Sequence, residues 1–165
     1  MSKITQTGVP QTAPLPPMPV RIDDVLVEAL RVARETRNPL IVAYVDAGGR
    51  PSQAPRGTVQ TFSGTQLALW AHNPAGGLVT AVRANPNVSL HFWGGMGTQY
   101  GGAVSFQGVA RIDDYAETRR RVYDGSPASE QRSDPERRGC AIVIDLTSVT
   151  GFVAGMRYNM SADVA

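Results

Sequence analysis

The sequence predicts a mainly β fold with peripheral helices, an antiparallel sheet closed or partly closed into a barrel. Three observations predict it. Short runs in which apolar and polar residues alternate recur between Gly-rich and Asn-Pro turns. Most of these runs follow one another at hairpin distance. The helical stretches are one leader and two insertions, too few to cover both faces of a doubly wound sheet.

The leading helix is "VRIDDVLVEALRVARETRN", where Ile22, Val25, Leu26, Ala29, Leu30 and Ala33 form one apolar stripe. Asp23 and Asp24 suit its positive dipole end, Arg31, Arg34 and Arg37 suit the other end, and Asn38-Pro39 stops it. Leu40 to Val45 is an apolar β-rich run, followed by the turn Asp46-Ala47-Gly48-Gly49. Gln53 to Phe62 reads as one strand, with Pro55 marking an edge or a bulge. Ser63-Gly64-Thr65 turns the chain into a strand from Gln66 to Ala71.

Asn73-Pro74 can cap a short helix carrying Leu78, Val79 and Val82, which Asn85-Pro86 ends. Val88 to Trp93 and Ala103 to Ile112 alternate as strands. "DDYAETRRRVYDG" is helical, "SPASEQRSDPERRG" is a loop or helical turn, and Cys140 to Leu146 is a last strand that can extend to Phe152. The final dozen residues show no period. Residues 1–20 form a proline-rich N-terminal arm and residues 21–165 a single domain.

Composition narrows the function. The chain has 165 residues, 42% of them hydrophobic and 18% charged, as expected of a globular domain. A net charge of +2 carries no nucleic-acid stripe, and Arg119-Arg120-Arg121 beside Glu117 and Asp124 reads as a solvated helix face. One cysteine, Cys140, and two histidines make a poor metal set, so no metal site is expected. Cys140, in an apolar run, reads as a buried structural thiol. No stretch is long and apolar enough to span a bilayer, and Met1 to Pro19 has no signal-peptide core, so the cytoplasm is the expected compartment.

No catalytic constellation stands out: His72 and His91 lack neighbouring carboxylates, and no nucleophile elbow, phosphate loop or Rossmann fingerprint is present. One arrangement suggests a ligand. Gly76-Gly77 opens a helix whose free N–H groups and dipole suit a phosphate, and Arg56 is a lone charge between Pro51 and Asn73. An exposed strand arginine and a plain glycine turn account for the same residues.

The order "PLIVAYVDAGGRPSQAPRGTVQTFSGTQLALWAHN", "GGLVTAVRANPNVSLHFW" and "VSFQGVARIDD" resembles the FMN-binding split-barrel family of pyridoxamine 5′-phosphate oxidase-like proteins, over roughly residues 25 to 150. The resemblance implies a six-stranded split barrel and a homodimer with FMN sites at its interface. It places Arg56, Gly57, Thr58 and Val59 on the strand that meets the flavin ring and phosphate. Trp70, Ala71, His72 and Asn73 then line the ring and ribityl chain, and Gly76, Gly77 and Leu78 hold the phosphate.

Leu78 stands where relatives often carry a lysine. One missing charge-assisted hydrogen bond is worth about 1.5–3 kcal/mol, roughly ten- to a hundred-fold in affinity. The tail "GFVAGMRYNMSADVA" lacks the basic, aromatic substrate motif of authentic pyridoxamine phosphate oxidases. The resemblance therefore implies an FMN-dependent oxidoreductase of unassigned substrate, with His72, Trp70 and Tyr100 as wall residues and none named as catalytic. A deazaflavin-dependent reductase, or a non-catalytic dimer that binds flavin or haem, is the alternative.

Overall fold

The computed structural model describes residues 15–164. Helix α1 (Asp24–Glu35) begins where the Asp23 carboxylate accepts the Leu26 amide at 2.9 Å. It buries Leu26, Ala29, Leu30 and Ala33, the stripe read from the sequence. After Thr36 the chain passes through Arg37 at φ 57°, a left-handed position usually taken by glycine.

Eight strands follow: β1 (Leu40–Val45), β2 (Pro51–Arg56), β3 (Gln60–Ser63), β4 (Gln66–Ala71), β5 (Asn87–Gly94), β6 (Gly102–Asp113), β7 (Cys140–Val153) and β8 (Met156–Ser161). They form one antiparallel sheet in the order β2-β1-β5-β6-β7-β4-β3, with β8 also pairing with β7. The 14-residue β7 is the spine. Its first half pairs with β4, its second half with β8, and β6 runs along its other edge.

Six strands were expected and eight are present among the described residues. The run read as one strand from Gln53 to Phe62 breaks at Gly57-Thr58-Val59, because β2 pairs with β1 and β3 pairs with β4. Pro55 lies in β2, an edge strand, where a missing N–H costs no ladder bond. The other addition is β8, whose alternation is confined to buried Tyr158 and Met160. The sheet is also a path with two ends, since no ladder joins β2 to β3.

The inner faces of the strands enclose one large core around Phe106, Leu69, Leu90 and Ile142. Helix α1 and the short α2 (Gly77–Ala84) contribute to the same core. Cys140 belongs to it, and burial pushes its thiol up from the ordinary value. A smaller cluster of Ala68, Trp70, Val122, Tyr123, Ala141 and Val143 lies beneath α3 (Ala116–Asp124). Helix α4 (Ala128–Ser133) follows and buries none of its own residues.

The three consecutive arginines of α3 are not a uniformly solvated face. Arg120 pairs with Glu117 and Asp124 in the open, as expected. Arg119 instead donates to the carbonyls of Gly139 (2.8 Å) and Arg137 (3.0 Å) and lies over the Trp70 ring. Arg121 donates to the Phe62 carbonyl and lies over that residue's ring. These two clamp α3 to the sheet through cation–π and carbonyl contacts.

Residues 1–14 of the expected arm lie outside the described residues. Leu15 to Pro19 runs beside β8: Met18 donates to the Asn159 carbonyl at 2.9 Å and accepts from the Ser161 amide at 2.8 Å. Tyr158 of β8 donates to both oxygens of Asp23 at 3.2 Å, tying the last strand to the cap of α1. Burial, then the adjacent Asp23 carboxylate, pushes the Tyr158 hydroxyl above its ordinary value. No helix among the described residues is long and apolar enough to cross a membrane.

Candidate functional site

The end of β2, the end of β4 and the start of α2 converge on a cavity of about 350 Å³. Among its walls are Arg56, Gly57, Thr58, Trp70, Ala71, His72, Asn73, Gly76, Gly77 and Leu78. Three segments separated in sequence thus meet because β2 and β3 turn away from each other at Gly57. Thr58 is buried there, and its hydroxyl donates to the Trp70 carbonyl (2.9 Å) and accepts from the Trp70 amide (3.2 Å).

The α2 end of the cavity is an uncapped helix N-terminus. Gly76 is the N-cap and supplies no side-chain cap, and the first turn has no acidic residue. Thr80 is the first residue whose amide bonds back into the helix, to the Gly76 carbonyl at 3.0 Å. The amides of Gly77, Leu78 and Val79 have no acceptor among the described residues. Asn73-Pro74, read from sequence as the cap, forms the preceding turn instead. The Asn73 side chain accepts from Ala75 at 2.9 Å, and its carbonyl accepts from Gly76 at 2.9 Å. Asn73 therefore stabilises the approach and leaves the helix amides free.

Arg56 faces the same cavity. Its Nε is buried with no hydrogen-bond partner, and its guanidinium has no carboxylate within ion-pair distance among the described residues. Burying a donor without a partner is costly, and none of the described residues offsets that cost for Arg56 Nε.

Other placements change the reading of individual residues. Val59 is 2% exposed and belongs to the core, behind the cavity wall. The Trp70 indole turns away into the cluster beneath α3. Its Nε1 donates to Asp134 at 2.9 Å, and the ring meets Tyr123 edge-on at 5.3 Å. Tyr100 lines a different cavity, with Phe92 and Ala33. Leu78 is 3% exposed, so its side chain packs in the core while its amide serves the cavity. Leu78→Lys is therefore expected to destabilise the fold by at least about 2 kcal/mol without tightening FMN. Urea unfolding and FMN titration of the variant check this. A tenfold gain in affinity would show that the side chain can reach the phosphate.

Two residues were not legible in sequence. Glu130 of α4 closes one wall, its Oε1 lying 3.3 Å from the place a Cβ on Gly57 would take. Its Oε2 is 3.1 Å from His72 Nε2, within ion-pair range although the imidazole is not aligned for a hydrogen bond. Asp134 organises the rear of the site. It is 7% exposed, and its carboxylate accepts from Trp70 Nε1 and from the amides of Gly139 and Arg138, all at 2.9 Å. Burial opposes its ionisation, but these donors prevail and hold the carboxyl below its ordinary range. Gly139 is required beside it, since a Cβ there would lie 2.4 Å from the Ala71 carbonyl. A lone Glu or Asp in a polar, proline-broken segment gives no sequence pattern that would have revealed either role.

The fold is an antiparallel split barrel, with the cavity between β2, β4 and α2 at its opening. No family model matches the chain, and no curated protein matches it. Solved structures do match, and they give the chain the fold of the pyridoxamine 5′-phosphate oxidase-like proteins. A candidate pyridoxamine 5′-phosphate oxidase from Listeria innocua is 15% identical with a TM-score of 0.56, over 77% of this chain and 98% of that one. General Stress Protein 26 from Bacillus anthracis is 13% identical with a TM-score of 0.60, over 81% and 98%. HupZ from Group A Streptococcus is 16% identical with a TM-score of 0.55, over 78% and 96%.

Proposed function

We propose that this chain binds FMN in the cavity between β2, β4 and α2, and acts as a flavin-dependent oxidoreductase. The observation that carries this reading is the convergence of Arg56, buried at Nε without a partner, with three unbonded amides at the start of α2. Guanidinium and helix N-terminus are the two groups that best hold a phosphate. Gly76 and Gly77 leave that approach open, and about 350 Å³ falls within the usual range of small-ligand sites. The residues present fit FMN.

Arg56 and the amides of Gly77, Leu78 and Val79 would hold the phosphate, and the backbone from Gly57 to Thr58 and from Ala71 to His72 would bracket the ring. FMN when bound supplies hydride and single-electron chemistry, so the protein's share is binding, orientation and electrostatics. His72 Nε2 and Glu130 Oε2, 3.1 Å apart, give the wall of the cavity its polar side chains.

A cytoplasmic homodimer completes the proposal. On the outward face of the sheet, Trp93, Ala103 and Phe152 form one row and His91, Ser105 and Thr150 the next. Trp93 is 53% and Phe152 43% exposed, two large apolar side chains in a row that ends at Arg157 of β8, and exposed aromatics of this kind suit a surface that meets a partner. Sedimentation equilibrium should give twice the chain mass, and a charged residue at Trp93 should shift it towards the monomer.

The visible spectrum of the purified protein, followed by FMN titration, tests the cofactor. Yellow flavin bands or saturable FMN binding support the proposal, and a colourless protein that takes up no FMN overturns it. Binding of a deazaflavin, or a Soret band, would move the assignment to the corresponding cofactor.

A further inference from the structure

A second cavity, of about 430 Å³, adjoins the first and shares Pro55, Gly57 and Glu130 with it. Its far end is formed by Arg34 and Arg37 at the C-terminus of α1, with Ser129 of α4 also on its wall. We propose that this cavity is an anion subsite, taking the carboxylate or phosphate end of a small molecule whose uncharged body crosses Pro55 and Gly57 towards the first cavity. The subsite stands without FMN. Its assignment to a substrate rests on the cofactor reading above.

Arg34 is half-buried, and its side chain makes no hydrogen bond or ion pair among the described residues. The carboxylates beside it on α1 are already engaged, since Arg31 holds both Glu28 and Glu35. Burial pushes the Arg34 guanidinium below its ordinary value and Glu35 only partly opposes it, so the charge is kept where the protein does not favour it. Arg37 occupies a left-handed backbone position at φ 57°, where glycine would be less strained. An arginine serving only the helix dipole needs neither the burial of the first nor the strain of the second.

Glu130 limits where an anion can lie. Its carboxylate stands between the cavities and faces His72, so a negative group is repelled from that wall and favoured at the arginine end. The prolines at 39, 55 and 127 line the walls, and their fixed backbone adds little ordering cost on binding.

The test uses the full chain with ¹⁵N-labelled arginine. The Nε–Hε signals of Arg34, Arg37 and Arg56 are followed during separate titrations with inorganic phosphate and with benzoate. Saturable shifts at Arg34 and Arg37 are expected with at least one probe, and which probe saturates tells phosphate from carboxylate. Arg34→Gln should weaken that binding about ten-fold or more, the loss expected for one charge-assisted hydrogen bond. Arg37→Gly should weaken it several-fold while leaving Tm unchanged or higher, which separates lost binding from lost folding. Arg56→Ala should leave it within about two-fold. The proposal is overturned if neither probe saturates, if Arg34→Gln has no effect, or if Arg56→Ala abolishes the shifts. FMN affinity of Arg34→Gln should match that of the unsubstituted protein. A protein that binds no FMN yet saturates at Arg34 would end the cofactor reading and leave the subsite intact.

Discussion

Arg56→Ala is expected to weaken FMN binding by about ten- to a hundred-fold, the equivalent of about 1.5–3 kcal/mol for a charge-assisted contact. The side chain lies at the last position of edge strand β2 and makes no ion pair or hydrogen bond among the described residues that its removal would break. Stability should therefore hold or rise slightly, because a buried donor without a partner is removed along with the charge. Arg56→Lys should fall between the two proteins, since an ammonium keeps the charge but loses the two-pronged geometry. Fluorescence titration with FMN, alongside thermal unfolding, reads both quantities. An unchanged Kd in Arg56→Ala would place the phosphate elsewhere.

Asp134→Ala is expected to be the most destabilising single change near the site, at about 3 kcal/mol or more. It strands the Trp70 indole N–H and the Gly139 amide, buried donors worth about 1–3 kcal/mol each when left without an acceptor, and frees the part-buried Arg138 amide. For a domain of this size that corresponds to a fall in Tm of roughly 6–12 °C. The effect carries a pH signature. The Asp134 carboxyl is held below its ordinary value in the folded protein, so the unfolded chain binds its proton more tightly. The contribution is complete above the ordinary carboxylate value, near pH 4, and is lost as the pH falls through the lower folded value. Urea unfolding should therefore show a constant gap between the two proteins at neutral pH that narrows in acid. A gap that stays constant in acid would show that Asp134 contributes through packing alone.

The sequence carries the elements whose burial is periodic. The stripe of α1 and the alternation of β5 and β6 are visible because a 3.6- or 2-residue period exposes the buried face directly. Strand pairing is not encoded in that way. The break at Gly57-Thr58-Val59 appears only when β2 and β3 take different partners, and β8 has too few buried positions to show a period. The same holds at the site. Glycines before a helix and a lone arginine can be picked out locally, whereas Glu130 and Asp134 acquire meaning from neighbours about 60 residues away, His72 and Trp70. Trp70 shows the reverse limit: its position in sequence is at the cavity, but its indole faces the other side of the strand.

The break between β2 and β3 also bears on the rigidity of the cavity. With no ladder across it, the ring of strands is closed by covalent chain at Gly57–Val59, and Thr58 locks that link to Trp70 with two hydrogen bonds. Prising the strands apart would sacrifice both bonds and bare buried Val59. Displacing α4, which buries no residue of its own, would leave that link intact but break the hydrogen bonds joining Gln131 to Tyr123, Asp124 and Ser126. The strand link therefore fixes the frame of the cavity, whereas α4 is held by surface hydrogen bonds and not by buried side chains. Hydrogen exchange should follow that division, fast along Ala128–Ser133 and slow at the Trp70 amide. Equal rates at the two places would mean that the strands themselves open.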